Sequence, residues 1–156
     1  EKGGAEAQLK QLVRYDYQNN HLIICLMSDS KYHLSDIKNN KIKIYQLNFK
    51  KFSFNLYQFY RLFSLIKTIN PHIVQTWMYK SDLVGGLIAR LAGKKVFWNI
   101  RNTLIQETSI LNKIIFFINI VMSYIIPQKI ISCSSEAVKC HRLKGFSNNF
   151  VVIHVY

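Results

Sequence analysis

The chain has 156 residues, 49% of them hydrophobic, enough to bury a core but too short for a multidomain assembly. Lys and Arg outnumber Asp and Glu by 21 to 8, a formal charge of +13 that argues against cationic partners. It suits a phosphate-rich, acidic or anionic-membrane partner, or simply a lysine-solvated surface. The three cysteines, Cys25, Cys133 and Cys140, form no CxxC pair. That excludes a zinc ribbon and a disulfide framework and points to reduced, mostly buried thiols.

In chain order, Gly3 and Gly4 precede a helix over residues 5–18 with an apolar stripe of Leu9, Leu12, Val13 and Tyr17. A Gly-Gly turn at a helix start suits a nest of backbone amides facing an anion, or is a plain turn. Such a turn normally follows a strand, and only Glu1 and Lys2 come before it, so the first strand of the expected sheet is read as missing from the sequence. Residues 21–27 read as a buried parallel strand, 28–40 as loop with a short helix, and 42–47 as a further strand. A helix over 55–69 carries Leu56, Phe59, Tyr60, Phe63 and Ile66 on one face, either core or a membrane-facing stripe.

Residues 71–102 hold one βαβ unit. A strand over 73–76 leads into a helix capped by Asp82, with Leu83, Leu87 and Leu91 at helical spacing, and Gly93 stops it before a strand over 95–100. The apolar run 110–126, interrupted by Asn112, Lys113, Asn119 and Ser123, is short for a bilayer span and ends at Pro127, so it reads as a buried or interfacial helix. A strand over 129–133 follows, then a helix over 136–143 capped by Ser135 and stopped by Gly145, and a last strand over 150–155. Alternating strands and helices predict an α/β fold, a doubly wound, mostly parallel sheet with right-handed crossovers.

No GxGxxG, Walker loop, HExxH or GxSxG occurs. The five histidines make no metal-binding spacing and read as surface or capping residues. What remains are polar groups at predicted strand ends: Gly3 and Gly4; Gln75, Trp77, Tyr79 and Lys80; Arg101 and Asn102; Ser134, Ser135 and Glu136. In a parallel sheet these converge on the carboxyl edge, where open α/β sheets bind ligands. Arg101 suits bidentate pairing with phosphate or carboxylate, and Trp77 and Tyr79 suit stacking on a sugar ring or acyl chain. Alternatively, Trp77 wedges helix against sheet, and Arg101 pairs with Asp82 or Glu107.

The segments GGAE at 3–6, IVQTWMYKSDLVGGLIARLAG at 73–93, VFWNIRN at 96–102 and ISCSSEAVKCHRLKGF at 131–146 resemble the N-terminal half of family 4 glycosyltransferases. The resemblance implies a GT-B architecture, with the chain as a partial N-terminal, Rossmann-like, acceptor-side domain and the C-terminal nucleotide-sugar-binding domain absent. It further implies a retaining, hexosyltransferase-type enzyme. Such an enzyme moves sugar from a nucleotide-sugar donor to a lipid-linked or polysaccharide acceptor in lipopolysaccharide or capsule synthesis.

By that resemblance Gly3 and Gly4 approach the donor phosphates, while Gln75, Trp77, Tyr79, Lys80, Arg101 and Ser134 line the acceptor side. Asn102 stands where relatives carry a His that contacts the transferring sugar; it retains a hydrogen bond but no protonatable group. No metal or other cofactor is expected, and the expected location is cytoplasmic, at the inner face of an anionic membrane, with Lys41, Lys43, Lys50 and Lys51 as its basic cluster. A degenerate, non-catalytic glycan- or lipid-binding module is the alternative. Nucleic-acid binding finds no basic recognition helix and no stacking platform.

Overall fold

A computed structural model describes residues 4–16, 21–27, 42–49, 56–101 and 109–153. From residue 56 on, helix and strand alternate along them, and every strand pairing is parallel. The chain falls into two units, residues 1–61 and 62–156. The strands correspondingly form a two-stranded and a four-stranded sheet.

The first unit holds α1 (Gly4–Tyr15), β1 (Leu22–Met27) and β2 (Lys43–Phe49). Val13 of α1 and Ile23 of β1 are its buried centre, flanked by Leu9, Ile42 and Ile44, while Leu12 of the expected stripe is exposed. Phe49 meets Phe59 edge-on at 5.5 Å. Of the basic cluster, Lys43 is exposed on β2, and Lys41, Lys50 and Lys51 lie outside the described residues, as do Gly3, Asn102 and residues 28–40.

The boundary falls within α2 (Leu56–Ile69), whose buried residues are Leu62 and Ile66. Leu56 and Tyr60, expected on the apolar face, are exposed. The core-facing line therefore runs through Ile66, as expected, and Leu62, which the predicted stripe left out.

The second unit orders its sheet β3 (Ile73–Trp77), β4 (Lys95–Ile100), β5 (Lys129–Ser132), β6 (Phe150–Val152). Between them run α3 (Tyr79–Leu91), α4 (Ile110–Met122) and α5 (Ser135–Leu143). Trp98, Val96 and Ile130 are sealed at its centre.

Helix α3 corrects two expectations. It begins at Tyr79, with Met78 as N-cap, so Asp82 is an interior residue and not the cap. Its inward face is Asp82, Gly85, Gly86, Ile88 and Ala89, whereas Leu87 and Leu91 are exposed. The reason is Trp98: a Cβ on Gly86 would lie 2.7 Å from its Nε1 and 3.1 Å from Ile126 Cγ2. The indole fills the space that leucines would need, so small residues take the contact.

Helix ends follow local chemistry. After α3, Gly93 at φ +78° donates to Arg90 O, and Lys94 donates to Ala89 O. After α5, Gly145 at φ +99° and Phe146 repeat the pair on Arg142 O and His141 O. Both are Schellman stops, in which a left-handed residue satisfies the last carbonyls, as the glycines predicted. At the start of α5 the cap is Ser134, one residue before the expected Ser135. Ser134 is extended, and its hydroxyl accepts from Ala137 N at 3.0 Å. Ser109 caps α4 the same way, accepting from Asn112 N.

Candidate functional site

Parallel register fixes which residues share the carboxyl edge of the four-stranded sheet. Trp77 pairs with Asn99, Asn99 with Ile131, and Ile100 with Ser132. Trp77, Arg101, Cys133 and Ser134 thus stand at the ends of three neighbouring strands. Alternation then sorts the faces. Val96 and Trp98 lie against Gly86 of α3, so Phe97, Asn99 and Arg101 belong to the opposite face.

On that opposite face two predicted residues meet. The Arg101 guanidinium carbon lies 4.7 Å from the centre of the Trp77 ring, a cation–π stack. Arg101 Nε and Nη1 are buried and have no hydrogen-bond partner among the described residues. Burial lowers the guanidinium pKa from its ordinary value, opposed by the neighbouring Cys133, whose thiol faces Arg101 O at 3.9 Å.

Two residues back on β4, Asn99 is 3% exposed, and both its amide atoms are also without partners among the described residues. Asn99 was not singled out from the sequence, where it stands as one polar residue in an apolar run. Unpaired buried donors are costly, about 1–3 kcal/mol each and more when charged. The stacked guanidinium and, two residues back on the same face, the carboxamide are thus a set of unpartnered donors with one unpartnered acceptor, Asn99 Oδ1. Of the two carboxylates expected to pair with Arg101, Asp82 is bound to Thr76, and Glu107 lies outside the described residues.

The remaining predicted residues divide. Gln75 is two positions from Trp77 on β3 and so on the same face, opposite Phe97. Lys80 is exposed in the first turn of α3, and Ser134 is spent on capping α5. Gly4 opens α1 in the other unit.

Tyr79 turns the other way. Its hydroxyl donates to His141 Nε2 at 2.6 Å, and its ring meets Phe116 edge-on at 5.2 Å. His141 Nδ1–H donates to Ala137 O at 2.7 Å, which leaves Nε2 as the acceptor. Fully buried, His141 is no surface histidine, as the sequence had suggested. Burial lowers its pKa, the Ala137 carbonyl pulling the other way, so the ring is held neutral. Asn119 completes the cluster, donating to Tyr79 O and Ile115 O.

Between Trp77 and Tyr79 a single residue makes the strand-to-helix turn. Met78 has φ +76° and ψ 145°, a conformation that costs an L-residue of order 1–3 kcal/mol. It sends Trp77 to one side of the sheet edge and Tyr79 to the other. Behind it, Thr76 Oγ1 donates to Asp82 Oδ1 at 2.5 Å. Asp82 is wholly buried, and desolvation raises its pKa well above the ordinary carboxylate range, the Thr76 bond opposing. The Thr76–Asp82 bond ties the end of β3 to α3.

Cys133 and Cys140 are free thiols, half-buried where the sequence suggested mostly buried ones, and the Cys25 side chain lies outside what the structure describes. Among the described residues no three His, Cys, Asp or Glu side chains are grouped to hold a metal. Nor is any helix among them long and apolar enough to cross a membrane.

The fold, an α/β chain with a parallel four-stranded sheet, matches a Rossmann-like half of the GT-B kind. Crystal structures of HepE from Anabaena share it: in complex with UDP the TM-score is 0.80, with UDP and glucose 0.78, and with UDP-glucose 0.76. Identity is 12% in each, covering 99% of this chain, and the chain spans 41% of the length of HepE. No family model matches the chain, and no curated protein sequence does. The likeness is therefore one of fold.

Proposed function

We propose that the chain is the acceptor-binding half of a retaining glycosyltransferase of the family 4 kind. It would move a hexose from a nucleotide-sugar donor to a lipid-linked or polysaccharide acceptor in cell-surface glycan synthesis, at the inner face of the membrane. The observation that carries this reading is the Arg101–Trp77 stack with Asn99 beside it, unpartnered donors on the carboxyl edge of a parallel sheet. The fold's likeness to HepE, whose crystal structures hold UDP and UDP-glucose, supports a nucleotide-sugar donor.

In this reading Arg101 grips an anionic oxygen group of the acceptor, Trp77 backs the sugar ring or chain attached to it, and Asn99 supplies a further hydrogen bond. Gln75 shares the face of Trp77, and Lys80 adds a charge at the same strand end; Tyr79, turned to the other side of the edge, and Ser134, the cap of α5, hold the fold around the site. Gly3 and Gly4 approach the donor phosphates, and Asn102, next to Arg101, contacts the transferring sugar. The reaction needs no metal from this half.

The test is sugar transfer from radiolabelled UDP-glucose and other nucleotide sugars to lipid extracts, comparing wild type with Arg101→Met. A charge-assisted bond contributes about 1.5–3 kcal/mol, so kcat/KM for the acceptor is expected to fall roughly ten- to hundredfold, with donor KM unchanged. Transfer that is indifferent to Arg101→Met, or binding of acceptor without any transfer, would overturn the proposal. The latter result would establish the non-catalytic module instead.

A further inference from the structure

Helix α4 buries one side and exposes an apolar stripe on the other. Its inner side is closed by Phe116 and Asn119 within the helix and Ser123 at its C-cap, all buried. Its outer side carries Ile110, Ile114, Phe117 and Val121, followed by Tyr124 just beyond the helix end. These recur at steps of four, three, four and three, one continuous stripe along the helix. All are exposed, Phe117 by 65% and Ile110 by 78%. An exposed apolar stripe of this length normally packs on a partner or sits against lipid, and nothing among the described residues covers this one.

Charge indicates what does. Helix α4 has no acidic residue, and Lys113 is exposed beside the stripe. Across the described residues of the second unit nine Lys and Arg side chains are exposed, against one exposed acid, Glu136. A partner for this stripe must accept an apolar face carried on a strongly basic unit, and an anionic bilayer offers both an apolar interior and negative headgroups. The dimensions agree. Thirteen residues span about 20 Å, too short to cross a bilayer and suited to lying in the headgroup plane. Tyr124 closes the stripe with an exposed ring whose hydroxyl is anchored on Gly145 O at 3.0 Å, an amphipathic side chain of the type that favours the membrane interface.

We infer that the outer face of α4 is the membrane-docking surface of this protein, inserted among the headgroups of an anionic bilayer. This rests on the proposed membrane-facing acceptor half for its setting, but it assigns the contact to α4 in place of the lysine cluster at residues 41–51, and its test reads lipid binding apart from sugar transfer.

The purified protein is sedimented with phosphatidylcholine vesicles, with and without about a third phosphatidylglycerol, at low and high salt. The protein is expected to bind the anionic vesicles, more weakly as salt rises. Ile114→Glu with Phe117→Glu should reduce partitioning at least tenfold, and Lys113→Glu should reduce the preference for anionic over neutral vesicles severalfold. Both glutamates replace exposed side chains, so the thermal transition should be unchanged. Wild type failing to bind vesicles, or the double variant binding like wild type, would overturn the inference. So would a double variant that shifts the oligomeric state or lowers the melting temperature, because the stripe would then be covered by a second copy or another part of the polypeptide. Vesicle binding in a protein without transferase activity would leave this surface standing and refute only the reading on which it rests.

Discussion

Gly86→Ala tests the packing that aims the carboxyl edge. The new methyl would sit 2.7 Å from Trp98 Nε1, 3.1 Å from Ile126 Cγ2 and 3.6 Å from Val96 Cγ1. None of the three has room to yield: Trp98 and Val96 are completely buried, and Ile126 is nearly so. Overpacking of this kind costs about 1–3 kcal/mol, and rigid neighbours place this site in the upper part of that range. Against it stands the helix propensity of Ala over Gly, a gain of about 1 kcal/mol. The clash wins by about 1–2 kcal/mol. For a chain of this size that lowers Tm by roughly 2–8 °C, measurable by circular dichroism on heating. Gly93→Ala is the control of opposite kind. No atom lies within 4 Å of a Cβ at Gly93, but its φ of +78° costs an Ala about 1–2 kcal/mol, which Asn should largely recover. Asn at position 86 should be worse than Ala. A Gly86→Ala protein as stable as wild type would refute the reasoning, since α3 could then lift from the sheet without penalty.

Two pH dependences follow from the buried groups. Asp82 has its folded-state pKa raised by burial, so its contribution to stability is full below the ordinary carboxylate value and is lost as pH rises through the raised one. Asp82→Asn keeps an acceptor for Thr76 and should remove that loss: the urea midpoint of the variant minus wild type should grow from pH 5 to 9, and a constant difference would refute it. His141 has its folded-state pKa lowered, so its contribution is full above about 6.5 and is lost as pH falls through the lowered value. Its proton should reside on Nδ1 at neutral pH by ¹⁵N chemical shift, and Tyr79→Phe should cost about 0.5–1.5 kcal/mol. An Nε2–H tautomer would refute the Tyr79 bond.

The parts of the fold legible in the sequence are those written in local chemistry. Strand β4 at residues 95–100 and the glycine stops at Gly93 and Gly145 appear where apolar runs and left-handed turns require them. Which helix face turns inward was less legible. Leu83, Leu87 and Leu91 form a regular apolar stripe, yet the inward face is built on Gly85, Gly86 and Ala89, because the size of Trp98, a neighbour in space and not in sequence, decides it. The same holds for His141, whose burial depends on Tyr79, sixty-two residues away. Helix starts moved by one residue at Ser134 and by four at Met78, since the cap depends on backbone dihedrals that a Ser-Ser pair or a Met-Tyr pair does not disclose. Arg101 and Trp77 were readable as a pair because strand ends in a parallel sheet share an edge whatever the details of packing. Asn99 was not, because one polar residue in a strand becomes informative only when its amide is seen to lack a partner.

The two polar clusters of this edge differ in a way that bears on how a half-site can be stored in a folded protein. Around Tyr79 the principal polar groups find mates: hydroxyl to His141, His141 to Ala137, Asn119 to Tyr79 O. That cluster is a structural lock, and it fixes α3 against α4 and α5. Around Trp77 the arrangement is the reverse, with a guanidinium held in place by an indole face, a contact that orients the cation without using its hydrogens. Orientation and satisfaction are thereby separated. Met78, in its strained conformation, is the residue that lets one side of the edge be closed while the other stays open. A binding edge needs that division: closure on one side gives the rigidity that positions Trp77 and Arg101, and the unmet donors on the other give an incoming anionic group something to gain.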